Sequence, residues 1–397
     1  MTKQSVTNGP GDANFALADE KAMPASLPLS RLNQDCLWGS ILVCVVIATY
    51  LPVLQAGYIW DDDINITANP CIVGPLGLKE IWTTGAANMC PLTLTTFWLE
   101  HALWGSAPLP YHLVNLFLHA ACAVSLWRVL QNLNIPGAWF GAALWALHPL
   151  QVETVAWVSE TKNTQSGLFY LLSVLFFTKS LQPRKNQKTG GWNYALALLF
   201  AALAMASKSS TVILPITLGL CAWWVEGRWQ GRNLARLAPV FLLSIAASAA
   251  AMWTRQAWGG DDPHWVRSWP ERIAAAGEVI WFYVGKLIWP HPLINSYPPW
   301  NIDAMQWTAY LPLFAAVIIL FIFWYHRQRW GRPWFFVFAC FVAALFPVLG
   351  LVTMSSSAHS LVADHLQYLA GMGPLALVGA GLARLSDTVL PKHSSLQ

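Results

Sequence analysis

Runs of about twenty residues with almost no charge recur along this chain, and they limit its possible folds more than any other feature. The first, Cys36 to Trp60, holds no charged residue at all. Lipid offers a backbone no water to bond, so such runs must satisfy their own hydrogen bonds, as helices or as a closed barrel. A helix needs roughly 20 apolar residues to cross, and nothing here alternates like a barrel strand. Only 11% of the 397 residues are charged, against about 25% in a soluble domain. The sequence therefore predicts an all-α polytopic membrane protein of about 10–11 transmembrane helices. Candidate spans run over 37–56, 112–131, 137–156, 165–181, 192–207, 209–225, 237–254, 308–325, 334–352 and 367–385.

Charge sets the expected orientation. Residues 1–35, polar and rich in small side chains, read as a flexible cytoplasmic tail. They do not read as a signal peptide, because the apolar run that follows is too long for one. With that tail inside, only seven of the 23 Lys and Arg fall on the outer face and sixteen inside, the bias that cytoplasmic loops carry. Glu271–Trp289 is also long enough to cross. Counting it as a span would make the balance 12 to 11, so it is expected as an interfacial or re-entrant helix of a large outer loop, 255–307. Residues 36–386 form the expected transmembrane domain, with a first outer loop at 57–111 and a short cytoplasmic tail at 387–397.

In this arrangement thirteen of the 19 acids gather on the outer face. Ionisable groups near membrane depth are costly, so their clustering points to function. Asp61, Asp62 and Asp63 follow the first span directly. Three adjacent carboxylates repel, which raises at least one pKa and suits a general base, or else invites a divalent cation. They also read simply as the polar end of a span. "ALHPLQVETVAWVSETKN" carries His148, Glu153, Glu160 and Lys162; His148 and Glu153 fit hydrogen bonds to a polar ligand or ordinary interface polarity, and lack a third ligand for a metal. Lys208 sits between two apolar runs with no loop to spare, placed either for a phosphate or as an anchor that snorkels. Arg255 is a second cation at a span end, and Asp364 and His365 precede the last span. His112, Asn115 and His119 share one helical face; His119 reads as packed, and His112 as packed or ligand-facing. Cys71 and Cys90 share the first outer loop and could pair in an oxidising compartment. There is no phosphate loop, dinucleotide glycine fingerprint or basic nucleic-acid patch.

Several motifs in order carry a resemblance: the acid cluster after the first span, "PLTLTTFWLEHALWGSAPLPYHLVNLFLHA", "ALHPLQVETVAWVSETKN", "SKSSTVILP" and "ADHLQYL". From about Tyr50 to Gly381 the chain resembles the membrane domain of the transmembrane and tetratricopeptide-repeat O-mannosyltransferases and their bacterial relatives, which are GT-C glycosyltransferases. The resemblance implies a GT-C-like bundle and an inverting transfer of mannose or another hexose from a polyprenyl-phosphate donor. It implies catalytic carboxylates at Asp61 and Asp62, with Asp63 as an extra. It implies donor-phosphate contacts at Lys208, Arg255 and Lys162, and substrate contacts at His148, Glu153, His112, Asp364 and His365. A divalent cation (Mg or Mn) held by Asp61, Asp62 and Asp63, or none, fits the same acids. The expected setting is a bacterial inner membrane with the site facing the periplasm. The acceptor would be a protein hydroxyl, or alternatively a lipid or polysaccharide. A reading of another class is a flippase for a lipid-linked sugar. Two departures stand out. The attached repeat domain is not seen after the last span, and His365 stands where the family has arginine, whose permanent charge and two-pronged grip on phosphate a histidine does not reproduce.

Overall fold

The computed structural model describes residues 31–84, 90–181, 190–257, 267–351 and 360–389. No strand occurs among them, and the chain is a multi-pass integral membrane protein. Among the described residues seven segments are long and apolar enough to cross: Asn33–Gln55, Pro108–Asn132, Gly190–Ser207, Ser209–Glu226, Gly231–Thr254, Trp307–Tyr325 and Gly331–Val348. Most of this set belongs to α1 (Arg31–Tyr50), α4 (Pro108–Asn132), α8 (Gly190–Ser207), α9 (Leu214–Glu226), α10 (Gly231–Ala257), α12 (Leu311–Tyr325) and α13 (Gly331–Leu345). Two short helices, α2 (Leu78–Thr83) and α3 (Pro91–Trp104), lie between α1 and α4.

The expected span 137–156 is not one helix. α5 (Ala138–Ala146) stops before His148, and α6 (Val152–Ala156) follows a single tight turn at Pro149–Gln151. The reason is local. A proline disfavours helical backbone in the residue before it, and His148 is extended, with ψ 135. Nine residues at 1.5 Å each reach about half the hydrocarbon thickness, so α5 ends inside the bundle. Its last carbonyl is not orphaned. Ala146 O accepts from the Tyr50 hydroxyl (2.9 Å) and lies 3.0 Å from His119 Nε2. That bond, with Tyr368 OH 2.9 Å from His119 Nδ1, makes His119 a packed residue, as the sequence suggests.

α7 (Thr161–Leu181) and α14 (Met372–Val389) are continuous helices, although polar residues dilute their hydropathy. The expected span at 367–385 begins only at Met372, because Asp364–Gln367 forms a separate tight turn. α11 (Trp269–Ile288) covers the Glu271–Trp289 segment. A Ser268–Glu271 capping box starts it, and it packs Gly277 and Trp281 against the first turn of α12.

α5 and α14 cross where glycines meet. A Cβ at Gly379 would lie 2.4 Å from Gly141 N, closer than any side chain tolerates. Gly379→Ala should therefore force the two helices apart and cost about 1–3 kcal/mol, as other overpacked cores do. Thermal unfolding in detergent checks this against Gly381→Ala, where nothing lies within 4 Å and stability is expected to hold or rise by up to about 1 kcal/mol.

Alternating helix directions bring the end of α1 and the starts of α4, α7 and α14 to one end of the bundle. At the opposite end Asp35 pairs with Arg128 (2.6 Å), and Trp224 Nε1 donates to Leu133 O (3.1 Å).

Candidate active site

The break at Pro149 is what builds the site. After it, Val158–Glu160 makes a tight turn into α7, held from below by Asn115. The Asn115 amide donates to the carbonyls of Thr154 (2.9 Å), Val155 (3.1 Å) and Trp157 (3.3 Å) and accepts from the Thr164 hydroxyl (2.6 Å). The turn presents Ser159 to one side and Glu160 to the other.

On the Ser159 side stands Asp62, fully buried. Ser159 donates its backbone N–H (2.7 Å) and its hydroxyl (2.6 Å) to Asp62 Oδ1, and the Ile59 N–H donates to Oδ2 (2.9 Å). Burial raises the Asp62 pKa despite these three donors and the nearby His112. Asp61 and Asp63 are both exposed, Asp63 accepting from the Thr67 hydroxyl (2.8 Å). Just before them Trp60 has a left-handed backbone, φ 46, unusual for a bulky residue and costing of order 1–3 kcal/mol. Its ring meets Trp157 edge-on at 5.0 Å.

On the other side Glu160 is fully buried and gathers two lysines and a histidine. Lys162 Nζ lies 2.8 Å away, Lys208 Nζ 3.7 Å and His365 Nε2 3.8 Å. Burial alone would raise its pKa, but His365, Lys162 and Lys208 hold it well below the usual carboxylate range. Lys162 is held above its ordinary value by Glu160, with a contribution from Asp61, against the opposing effect of burial. Burial prevails at Lys208, whose pKa is lowered. Asn163 completes the cluster: its amide donates to Glu160 (2.5 Å) and to the His365 carbonyl (3.1 Å) and accepts from the Lys208 ammonium. Glu153 takes the His365 N–H (2.7 Å).

The structure thus brings together Asp61, Asp62, Lys162, Lys208, Glu153 and His365, and places His112 beside Asp62. His148 is engaged elsewhere: its Nδ1 accepts from Leu150 N (3.3 Å), and its Nε2 is 3.2 Å from Leu287 O. It closes the turn that breaks the span. Arg255 lies in the last turn of α10, and its side chain is outside the described residues. Cys71 and Cys90 are free thiols. Among the described residues no group of three or more His, Cys, Asp or Glu is placed to hold a metal. Ser159 and Asn163 are neighbours in this cluster that the sequence reading did not name, and Glu160 was named there without a role of its own. The only signal was the density of polar residues in "WVSETKN".

Asp364 faces away from the cations, accepting from the Tyr297 hydroxyl (2.9 Å). Burial pushes its carboxyl up to about 6, with the Tyr297 bond and Lys286 pulling the other way. A folded value above the ordinary 3.9 means that the protonated form favours folding. That contribution is complete below about pH 4 and lost as pH rises through about 6. Asp364→Asn should therefore raise thermal stability by about 1–3 kcal/mol at pH 7.5 and leave it nearly unchanged at pH 4. Melting curves at the two pH values check this.

No family model matches the chain, and no solved structure matches it. Curated relatives do. Protein O-mannosyl-transferase TMTC2 of Mus musculus is 28% identical over 185 residues, 43% of this chain and 22% of that protein. Protein O-mannosyl-transferase Tmtc1 of Drosophila melanogaster is 29% identical over 186 residues, 43% of this chain and 21% of its own. Protein O-mannosyl-transferase F38B6.6 of Caenorhabditis elegans is 23% identical, covering 50% of this chain and 29% of its own. The matched stretch spans between about a fifth and under a third of these relatives' length. The resemblance carried by the motifs is borne out: over about half its length the chain is similar to proteins named as O-mannosyltransferases, which are glycosyltransferases.

Proposed function

We propose that the chain is a GT-C-type glycosyltransferase that moves mannose or another hexose from a polyprenyl-phosphate donor to a protein hydroxyl, at a site facing the periplasm of a bacterial inner membrane. The observation that carries this reading is an exposed carboxylate, Asp61, whose charge acts on Lys162, which shares the buried counter-ion Glu160 with Lys208. The acceptor oxygen would attack the anomeric carbon while the bond from that carbon to the phosphate oxygen breaks. The electron pair leaves with the phosphate and the hydroxyl proton goes to Asp61, giving inversion. Lysines fixed beside the leaving oxygen lower the cost of the charge that develops there. Asp61 suits the base because it is exposed, whereas Asp62 is buried with its oxygens taken by Ser159 and Ile59 and serves to hold the loop. Arg255 remains a further donor-phosphate candidate.

A cavity of about 380 Å³ supports the lipid part of the donor. It lies between α2 and α3 on one side and α8 and α10 on the other, lined by Trp82, Ala206, Ala247, Ala251 and Trp253. It reaches Ser209, the neighbour of Lys208. Its size is within the range of small-molecule sites, and its apolar wall suits an isoprenoid chain.

Expression of the chain in a bacterial host tests the acceptor. O-linked hexose on exported proteins, absent with Asp61→Asn, is the expected result. Hexose found only on lipid or polysaccharide would replace the protein acceptor, and no change in any glycan would count against the transferase reading.

A further inference from the structure

The imidazole of His365 stands between two carboxylates. Its Nδ1 is 3.2 Å from Glu153 Oε2 and its Nε2 is 3.8 Å from Glu160 Oε1. The backbone around it is fixed, its N–H given to Glu153 and its carbonyl bonded by Asn163, while Trp157 closes one flank edge-on at 5.5 Å. A neutral imidazole has one N–H and one lone pair, so one of the two carboxylates would face a lone pair; an imidazolium offers a proton to both. The side chain is 15% exposed, on the same edge as Lys162 and Lys208 at 25% and 14%.

Charge counting sharpens the point. Glu153, Glu160 and Asp61 outnumber Lys162 and Lys208, so without His365 the cluster has no surplus positive charge for an anion. We propose that His365 is a third cation of the donor-phosphate site and acts only as imidazolium, so that phosphate binding takes up a proton. This rests on the donor reading above. The groups that face it are Glu153 from α6, Glu160 from the turn before α7, Lys162 from α7 and Lys208 from the break between α8 and α9. Cys90 and Asp61 lie beyond the lysines, since both act on Lys162. Next to His365, Asp364 accepts from Tyr297, and its charge is coupled to both Lys286 and His365. The long 3.8 Å contact to Glu160 is the one that an incoming phosphate would replace.

The test uses the methyl diester of a short polyprenyl phosphate, which carries one fixed negative charge and no titration of its own. Its affinity is measured by calorimetry from pH 5.5 to 8.5, in buffers of different ionisation enthalpy, for wild type, His365→Arg and His365→Gln. Wild-type affinity should fall by up to about tenfold per pH unit above the imidazole's titration, with close to one proton taken up per ligand there. His365→Arg should bind with little pH dependence, and His365→Gln weakly throughout. Wild-type binding without proton uptake, or a profile unchanged in His365→Arg, would overturn the role of His365 and leave the donor reading standing. No binding by any variant at any pH would overturn the donor reading, and this role with it.

Discussion

Asp61→Asn should cut sugar transfer by a factor of about 10² to 10⁴ while leaving the protein folded, and Asp62→Asn should do something different. The size follows from what a positioned general base contributes. Asp61 is exposed, so an amide there costs little stability. Asp62 is buried and receives three hydrogen bonds from Ser159 and Ile59. An asparagine in its place keeps one acceptor oxygen and turns an NH₂ towards either the Ile59 N–H or the Ser159 donors. Two donors then oppose each other in a buried site, at about 1–3 kcal/mol. Asp62→Asn should lower the melting temperature, and reduce transfer through a displaced loop. Rates and melting curves for both variants separate the roles. Loss of transfer in Asp62→Asn at full stability, with Asp61→Asn active, would exchange them.

The second large effect concerns Glu160. Two lysine ammonium groups and the His365 imidazole lie within 3.8 Å of its carboxylate, which is fully buried. Removing one partner of a buried ion pair is far more costly than the pair is favourable, commonly about 3–5 kcal/mol, because the remaining charge has nothing to offset its desolvation. Glu160→Gln leaves Lys162 and Lys208 facing each other across an amide. The expected result is a destabilisation of that order, measured by unfolding in detergent, together with a raised KM for the donor. The mechanism makes a sharper prediction for the double variant. Glu160→Gln with Lys208→Met removes one of the stranded charges, so it should be more stable than Glu160→Gln alone. Additive losses would mean that the cluster is not coupled through Glu160.

How much of this was legible in the sequence differs residue by residue. The helical membrane class followed from runs such as Cys36–Trp60, since lipid leaves no other arrangement. Asp61, Lys162, Lys208 and His365 were visible because each stands where an apolar run ends, and the chain gathers run ends at one face. Glu160 was not distinguishable from Glu153 by spacing. Its burial arises from the turn that follows the break at Pro149, and a lone proline does not announce how the next twelve residues will fold back. His148 was read as facing a ligand, yet it bonds to Leu150 and Leu287, a partner that lies 139 positions away. The difference between Asp61 and Asp62 was invisible for the same reason, because Ser159 reaches Asp62 across 97 positions.

The most direct measurement of the central claim is made in proteoliposomes containing the purified protein, radiolabelled polyprenyl-phosphate mannose or glucose, and an acceptor peptide rich in serine and threonine. The account predicts that label leaves the lipid and appears on the acceptor with wild type, and stays on the lipid with Asp61→Asn. Donor that remains intact in every sample, with label merely crossing the bilayer, would contradict it and establish a flippase instead.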